Sequence, residues 1–218
     1  MPKSKIEWTD YTINPVKGKC PVACSYCYAR RMYKRFKWNP EIRFETTVFN
    51  ELPKLRAGSR IFWGSTIELF GDWVDPEWMR LIMERVKAHT ELTHIFLTKQ
   101  PQNLLQWSPF PENVWVGVTA TNQKAHNEAV VILSYIKASI KFISHEPLLE
   151  RISLHSPYSP EDAYDWDIIG AQTKPYKPPV KIWVDEITEA CKRTGIPYFL
   201  KDNLIPLMGD NLVQEMPK

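Results

Sequence analysis

Three of the chain's four cysteines lie within eight residues, at Cys20, Cys24 and Cys27. Their spacing is C-x3-C-x2-C, in the stretch GKCPVACSYC. A dithiol redox pair would need only Cys24 and Cys27 and would leave Cys20 unexplained. Three thiolates in one short loop suit a cubane iron–sulfur cluster, in which one iron is left without a protein ligand. An open position on a metal is where a metalloenzyme does its chemistry.

A structural zinc site is the alternative use of these thiols. Zinc takes four ligands, usually as two close pairs, and the nearest histidine in the sequence, His89, lies more than sixty residues beyond Cys27. Cys191 falls on the apolar stripe of a predicted helix, so it is expected to be a buried, small hydrophobic side chain. Zinc therefore stays open as the less favoured reading.

The cysteine motif resembles the signature of the radical S-adenosylmethionine superfamily, C-x3-C-x-φ-C with an aromatic φ, here Tyr26. Further blocks resemble a family of uncharacterised small proteins from phage and prokaryotic genomes: IEWTD, NPV, CYA, LTK-x-P, VWVGV, EPLL and a closing G-x-P-x-F-x-K, in order from Ile6 to Lys201. The resemblance implies a 4Fe-4S cluster whose open iron binds S-adenosylmethionine. It also implies an external electron donor, and a 5′-deoxyadenosyl radical that abstracts hydrogen from the substrate.

The resemblance also implies which residues bind the cofactor, although the usual Gly-Gly-Glu wording after the second strand is absent here. The expected contacts are Tyr26, Ser65, Thr66, Glu68, Thr119 and Asn122. Tyr26 would pack beside the cluster and the adenine, and an ordinary core aromatic is the alternative. For the others, the alternative is a polar turn at the end of a strand.

Charged side chains at three further strand ends are candidates for acid–base catalysis or anion binding. They are Lys99, Glu146 and Lys201, and a group of this kind at the mouth of a barrel can take either role. The alternative, weighed equally, is a buried ion pair between these same groups. His145 is expected to be a structural histidine rather than a ligand.

Positive charge is concentrated at the cysteine end of the chain. Residues 1–40 contain nine lysines and arginines against two acidic residues, although the whole chain has a net charge of +3. Arg30, Arg31, Lys34 and Arg35 are spaced to lie largely on one side of a helix. Such a patch attracts nucleic acid or a nucleotide, and a solvated helix face is the alternative.

The composition is that of one globular domain over residues 1–218, with 44% hydrophobic residues. No run of apolar residues is long enough for a transmembrane helix, and the N-terminus has no signal-peptide core. We therefore expect a cytoplasmic protein with no membrane association, in which thiols stay reduced.

Seven short apolar runs alternate with amphipathic segments, which predicts an α/β fold with a parallel sheet. The predicted strands are 6–13, 60–64, 94–98, 114–119, 141–144, 166–171 and 198–201. The predicted helices include 75–89, opened by Asp75 and Pro76, and 184–195, closed by Gly195. The length is short for an eight-fold barrel. We expect a partial (βα)6 TIM-like barrel of the radical SAM type, with the cluster loop after strand 1 and polar strand ends gathered on one face.

The leading hypothesis is a radical enzyme that acts on a nucleic acid or nucleotide, in repair or modification. The second is a small radical activase that abstracts hydrogen from a partner protein. A zinc-containing nucleic-acid-binding module without catalysis is the alternative from another class. The sequence predicts neither the bond attacked nor the oligomeric state.

Overall fold

The computed structural model describes residues 1, 3–154, 163–210 and 212–217. Within these ranges the strands are β1 (Tyr11–Ile13), β2 (Val16–Lys17), β3 (Arg43–Phe44), β4 (Arg60–Trp63), β5 (Thr93–Thr98), β6 (Val114–Thr119), β7 (Ile140–His145), β8 (Trp166–Ile169), β9 (Gln172–Thr173), β10 (Tyr176–Lys177) and β11 (Tyr198–Leu200). The α-helices are α1 (Tyr28–Phe36), α2 (Pro76–Ala88), α3 (Gln123–Tyr135), α4 (Lys181–Thr194) and α5 (Ile205–Met208). Shorter 3-10 segments span Thr46–Lys54, Pro101–Trp107 and Asp202–Leu204.

Seven strands form one parallel sheet in the order β1-β4-β5-β6-β7-β8-β11, so each strand pairs with the next one of the sheet along the chain. All seven predicted strands are members of it, which confirms the expected α/β fold. Parallel neighbours need crossover connections, and α2, α3 and α4 supply three of them. The carboxyl ends of all seven strands consequently meet at one edge of the sheet.

The sheet curls into a half-barrel, as the contacts of Trp8 demonstrate. Its ring centroid lies 5.0 Å from that of Phe62 in β4 and 6.5 Å from that of Trp166 in β8. Strands about 4.8 Å apart would place β4 and β8 about 19 Å from each other in a flat sheet. A single indole reaches both because the sheet bends around it.

Alternate residues of each strand face opposite sides of the sheet, as the two-residue period of a strand requires. Ile95 and Phe142 pack with Trp8 on the concave side. Their neighbours Phe96 and Ile143 pack with apolar residues of α2 and α3 on the other side. Because both faces are covered, the strands are continuously apolar in sequence.

The helix boundaries follow from their capping residues. Asp75 accepts a hydrogen bond from the backbone N–H of Glu77 at 2.8 Å and Pro76 occupies the first turn of α2, as predicted. Gly195 closes α4 with φ of 75°, also as predicted, although this helix begins three residues earlier than expected. Within the described ranges, no helix has the length and apolar character needed to cross a bilayer.

The first predicted strand was too long. The sequence predicts residues 6–13, whereas β1 covers Tyr11–Ile13. The N–H of Thr9 donates to the carbonyl of Ile6 at 3.2 Å and so forms a turn, while the indole of Trp8 is buried on the concave face of the sheet. The segment before β1 is apolar because Trp8 fills the concave side of the half-barrel, and not because the segment is an extended strand.

Candidate active site

The cysteines lie on an excursion of the chain that a two-stranded ladder closes. Antiparallel β2 and β3 pair Val16 with Phe44 and Lys17 with Arg43, so residues 18–42 leave and return at one point. We call residues 18–27 the cysteine loop. Helix α1 starts directly after it, with Cys27 at the N-cap position in extended conformation. All three thiols therefore lie ahead of the helix.

Gly18 fixes how the cysteine loop begins. Its φ is 127°, in the region that favours glycine, and a Cβ there would lie 2.7 Å from the Glu41 carbonyl oxygen. Its N–H donates to the Tyr33 hydroxyl of α1 at 2.8 Å. Lys19 N donates to the Pro40 carbonyl at 2.9 Å. The two ends of the excursion are thus joined to each other by backbone contacts that leave no room for a side chain.

The three thiols are free, partly exposed, and line one cavity of about 330 Å³. Burial raises the pKa of the Cys20 thiol, while the backbone N–H groups of Glu68 and Val22 donate toward its sulfur and oppose that rise. Arg30 of α1 donates to the Cys20 carbonyl oxygen at 3.2 Å. Backbone donors directed at a sulfur stabilise its thiolate form.

The cavity lies at the carboxyl edge of the sheet and gathers nearly all of the candidate residues. Those that line it are Cys20, Cys24, Tyr26, Cys27, Ser65, Thr66, Glu68, Lys99, Thr119, Glu146 and Lys201. Asn122 is not among the lining residues, because its side chain caps α3 by accepting from Ala125 N at 2.8 Å. For Asn122 the structure therefore shows the polar-turn alternative.

Glu68 holds two strand ends together. Its carboxylate accepts from the Thr98 hydroxyl at 2.7 Å, from Phe70 N at 3.0 Å and from Lys99 N at 2.7 Å. Since a carboxylate has about four acceptor positions, three are already in use. Glu68 thereby joins the turn after β4 to the end of β5, and it fixes where the Lys99 side chain starts.

Lys99 and Lys201 face the same cavity in opposite electrostatic settings. The ammonium of Lys99 donates to the Thr119 hydroxyl at 3.1 Å, and no ion pair among the described residues involves it. Lys201 lies 2.9 Å from a Glu146 oxygen and 3.2 Å from a Glu7 oxygen. The buried ion pair that the sequence left open is therefore present for Lys201 and Glu146, and Lys99 takes no part in it.

The group formed by Glu7, Glu146 and Lys201 is tight. Lys201 is 8% exposed, and although its burial lowers the pKa, the two carboxylates outweigh this and raise it. A Cβ on Gly170 would lie 3.0 Å from the Cγ of Glu146 and 3.1 Å from the Cδ of Lys201. Lys201 remains a cation at neutral pH, and the three-residue group carries one net negative charge.

Two tyrosines tie the cysteine loop to the sheet. Burial, followed by the nearby Cys24, raises the pKa of Tyr26, whose hydroxyl hydrogen-bonds to Thr121. The Tyr28 hydroxyl donates to the Ser65 carbonyl at 2.6 Å. Tyr26 therefore bridges from the loop to the turn after β6. Neither of the two roles predicted from the sequence, packing beside the cofactor or in the core, includes this contact with Thr121.

Sequence reasoning missed several residues of this site. Asn14 accepts from the Ser65 hydroxyl at 3.2 Å and from Thr66 N at 3.1 Å. Trp8 Nε1 and Ser144 Oγ are buried without a hydrogen-bond partner among the described residues, and both side chains line the cavity. The signal for Asn14 and Ser144 was available, since each lies at the carboxyl end of a predicted strand. Trp8 carried no such signal, because its role depends on the sheet curling around it.

Two predictions about buried groups outside the cavity are confirmed. His145 is fully buried, with Nδ1 3.0 Å from the Ala120 carbonyl and Nε2 3.0 Å from an Asp167 oxygen. Cys191 is 1% exposed on α4, and burial raises the pKa of its thiol. Both side chains are structural parts of the helix-side core.

No three histidine, cysteine, aspartate or glutamate side chains converge as a metal-holding group anywhere in the described ranges. The spacing C-x3-C-x2-C places three thiols in one loop, but the conformation of the loop decides whether they point at a single centre. In this structure they share a cavity wall without converging as ligands of one ion.

Fold and site together define an α/β half-barrel protein with a thiol-lined cavity at the carboxyl edge of its sheet. The chain belongs to the family described as protein of unknown function (DUF5131), whose model matches residues 3–204. No curated protein and no solved structure matches the chain.

The assignment to the radical S-adenosylmethionine superfamily, and to its phage-linked small-protein relatives, is therefore wrong. The family match is to DUF5131 rather than to a radical SAM family, and the cysteine motif does not assemble a metal-holding group among the described residues. The fold that the structure supports is the curled parallel sheet itself, without the radical SAM type attached to it.

Proposed function

We propose that this chain is an iron–sulfur enzyme in which Cys20, Cys24 and Cys27 hold a 4Fe-4S cluster and S-adenosylmethionine binds in the adjoining cavity. One observation carries the proposal: three free thiols line the same cavity as Lys99, which forms no ion pair with any described residue, and a negatively charged group of three residues. The proposal rests on these residues and not on superfamily membership.

The donor set fits a cluster better than a single ion. Zinc–sulfur bonds of about 2.3 Å bring tetrahedral thiolates within about 3.8 Å of one another, so a single ion requires converging donors. Each thiolate of a cubane cluster binds a different iron, so the thiols can be further apart. Three cysteines on one short loop that line one cavity, with backbone N–H groups donating toward Cys20, support the cluster proposal.

When bound, and reduced by an external electron donor, the cluster would supply the electron for reductive cleavage of the sulfonium C–S bond of S-adenosylmethionine, chemistry that would allow hydrogen abstraction from a substrate. The residues of the chain bind and orient the cofactor. Lys99 offers its ammonium to the carboxylate of the methionine moiety and keeps its contact with Thr119. The net negative group at Lys201 attracts the amino and sulfonium cations. Trp8 and Phe62 give the cavity apolar walls against which the cofactor packs.

Lys201 acts as a cation in this scheme. The raised pKa keeps its ammonium protonated at neutral pH, so it holds Glu146 in place rather than removing a proton. Glu146 also lines the cavity and is the remaining candidate for proton transfer.

The test is anaerobic reconstitution with iron and sulfide. We expect about four irons and four sulfides per chain, a brown colour with broad absorbance, and cleavage of S-adenosylmethionine on reduction with dithionite. Cys20→Ala, Cys24→Ala and Cys27→Ala each lose the full cluster and the cleavage. The matched control is Cys191→Ala, which removes a free thiol outside the cavity and keeps both.

Two outcomes would overturn the proposal. A colourless protein that carries zinc on the same cysteines would support the non-catalytic zinc module instead. A Cys24→Ala variant that forms a full cluster and cleaves the cofactor at the wild-type rate would remove the cysteine loop from the chemistry.

A further inference from the structure

A second concavity lies on the outer side of the cysteine loop. It has a volume of about 560 Å³, and Cys24 and Cys27 line both this concavity and the cavity described above. We call it the basic groove. The residues that define its chemistry are Lys19, Arg30, Arg31, Lys34 and Trp38.

The basic groove has cations with no acidic counterpart. Four of its lining side chains are lysines or arginines, and none of its lining residues is an aspartate or glutamate. Arg30 uses its guanidinium on the Cys20 carbonyl. Lys19, Arg31 and Lys34 are exposed, and within the described part of the chain they form no ion pair. Three cations of the groove are thus available to an anion.

A rigid aromatic platform adjoins these cations. Lys37 ends α1 with φ of 51°, and Trp38 N donates back to the Tyr33 carbonyl at 3.3 Å. The turn folds the Trp38 ring against Phe36, with centroids 5.6 Å apart and planes 23° from parallel. Tyr33 supports Trp38 edge-on at 5.3 Å, yet Trp38 and Phe36 remain 41% and 52% exposed. Trp38 is therefore a partly exposed ring held by its two aromatic neighbours, and its exposed part is available for stacking.

We propose that the basic groove binds single-stranded nucleic acid. The phosphates of the strand contact Arg31, Lys34 and Lys19, and one of its bases stacks on the Trp38 ring. A positively charged groove with an exposed aromatic ring is the arrangement that holds unpaired strands, since each base presents a face only when it is unstacked. Binding of a strand in the basic groove is inferred from the groove residues alone. That this strand is the substrate rests on the proposed function, because Cys24 and Cys27 line both the groove and the cavity.

An acidic protein is the other polyanion that such charge attracts. The observations favour a nucleic-acid strand because the cations line a concavity that also includes an exposed aromatic ring, Trp38. Specific protein interfaces instead have aromatic and apolar residues at their centre, with charged residues depleted there, whereas four of the groove's lining side chains are lysines or arginines. The base-stacking face is the feature that separates the two.

The test measures fluorescence anisotropy with labelled single strands of about 12 nucleotides, a length within the usual site size. We expect the double variant Arg31→Ala/Lys34→Ala to raise Kd at least about 10-fold, and to lower the slope of log Kd against log salt by about 1.4, which is about 0.7 per lost phosphate contact. The control Lys87→Ala/Lys137→Ala removes two exposed lysines outside the groove and leaves Kd within about twofold of wild type.

Stacking is tested separately at Trp38. Trp38→Ala raises Kd about 5-fold to 100-fold, as expected for loss of one base–aromatic contact, and Trp38→Phe restores most of the affinity because it keeps an aromatic face. Circular dichroism of each variant confirms that α1 is retained. Equal binding by Trp38→Ala and wild type would overturn the stacking interaction and with it the proposal.

Three further outcomes distinguish the occupants. Duplex of the same length binding as tightly as the single strand, or heparin displacing the strand with no effect of Trp38→Ala, would overturn the proposal, because either result means that the groove reads charge alone. An acidic protein binding while oligonucleotides do not would overturn it as well. Iron content is measured on the same samples: a chain that binds the strand but holds no cluster contradicts only the proposed function, whereas a chain that holds the cluster but binds no strand contradicts only the groove.

Discussion

At the scale of single residues, the site depends on which charges are paired. Lys99 and Lys201 are both lysines at strand ends, and the sequence gives them equal standing. In the structure Lys201 is enclosed by two carboxylates, while Lys99 contacts a hydroxyl. A paired, buried lysine organises a site, and an unpaired one is available to bind a ligand. The roles of the two residues therefore separate.

Replacing Lys201 by methionine should destabilise the fold. The change leaves Glu7 and Glu146 close together without their shared cation, and removing one partner of a buried ionic group costs about 3 kcal/mol or more. Urea unfolding of Lys201→Met measures the loss. Adding Glu146→Gln should recover part of it, since one of the two facing charges is removed. A loss of less than about 0.5 kcal/mol would mean that solvent screens the group.

Replacing Lys99 by methionine should leave stability nearly unchanged and weaken binding of S-adenosylmethionine through its carboxylate. The ammonium contributes one contact to Thr119 inside the protein, so its loss costs about 1 kcal/mol at most. Affinity for S-adenosylmethionine, measured by calorimetry, should fall at least about 10-fold because one hydrogen bond to a charged partner is lost. Lys177→Met, at an exposed position on β10, is the control. Unchanged affinity in Lys99→Met would remove this lysine from cofactor binding.

At the scale of elements, the cysteine loop is held by its ends. The β2–β3 ladder and Gly18 close the excursion, and Tyr26 and Tyr28 anchor the loop to the turns after β6 and β4. Helix α1 then extends from the loop and presents its cations to the basic groove. The same excursion therefore positions both the thiols and the positive charge.

Gly18→Ala should disrupt this closure. The added Cβ would meet the backbone at Glu41 and Ile42 at 2.7 Å, and backbone atoms cannot move aside as a flexible side chain can. Gly58→Ala is a matched control, because Gly58 also has a positive φ of 81° but its Cβ would meet nothing within 4 Å. Thermal unfolding and iron uptake are the measurements. We expect Gly18→Ala to be the more destabilised by at least about 1 kcal/mol and to lose iron uptake; equal effects would mean that backbone strain alone matters.

At the scale of the whole molecule, the curled sheet is closed by segments from both ends of the described chain. Glu7, ahead of β1, accepts from Asp202 N at 3.2 Å beyond β11, so the two edges of the sheet are linked. Trp166 Nε1 donates to the carbonyl of Glu215 at 2.8 Å near the other end. These contacts cover the concave core and leave the carboxyl edge open as the cavity.

Buried histidines should make the whole fold sensitive to acid. Burial lowers the pKa of His94 to about 4, and His94 accepts from Trp63 Nε1 at 2.9 Å and contacts the His89 carbonyl at 3.1 Å. The unfolded chain, in which a histidine has a pKa of about 6.5, takes up this proton first. The contribution of His94 to the free energy of unfolding is therefore fully present above pH 6.5. It is lost as the pH falls toward 4, which lowers the free energy of unfolding by about 3 kcal/mol.

Urea unfolding between pH 7.5 and pH 4.5 measures this fall. His94→Gln keeps an acceptor and a donor but does not titrate, so the fall should become shallower. A His94→Gln variant with the same pH dependence as the wild type would show that His94 is not the group responsible.

The sequence alone determined the seven strands of the main sheet and their order along the chain, together with helices α2 and α4. Apolar runs of strand length, capping residues such as Asp75 and Gly195, and the strand–helix alternation act locally, so they are readable from neighbouring residues. The position of the candidate residues also followed, because the ends of parallel strands share one edge whatever the details. Cys20, Cys24, Cys27, Lys99, Glu146 and Lys201 do line one cavity.

Only the tertiary structure decided how these groups are used. A sequence motif fixes the spacing of thiols along the chain but not their arrangement in space, and a short cysteine motif alone does not identify a family: the family model that matches residues 3–204 is DUF5131, so the superfamily assignment from the cysteines was wrong. Pairing is likewise a long-range property: Glu7 meets Lys201 across the two edges of the sheet, and Trp8 lies in the concave core because the sheet curls around it. Local patterns carry no information about such contacts, since they arise between residues that are distant in sequence and are brought together by the curvature of the sheet.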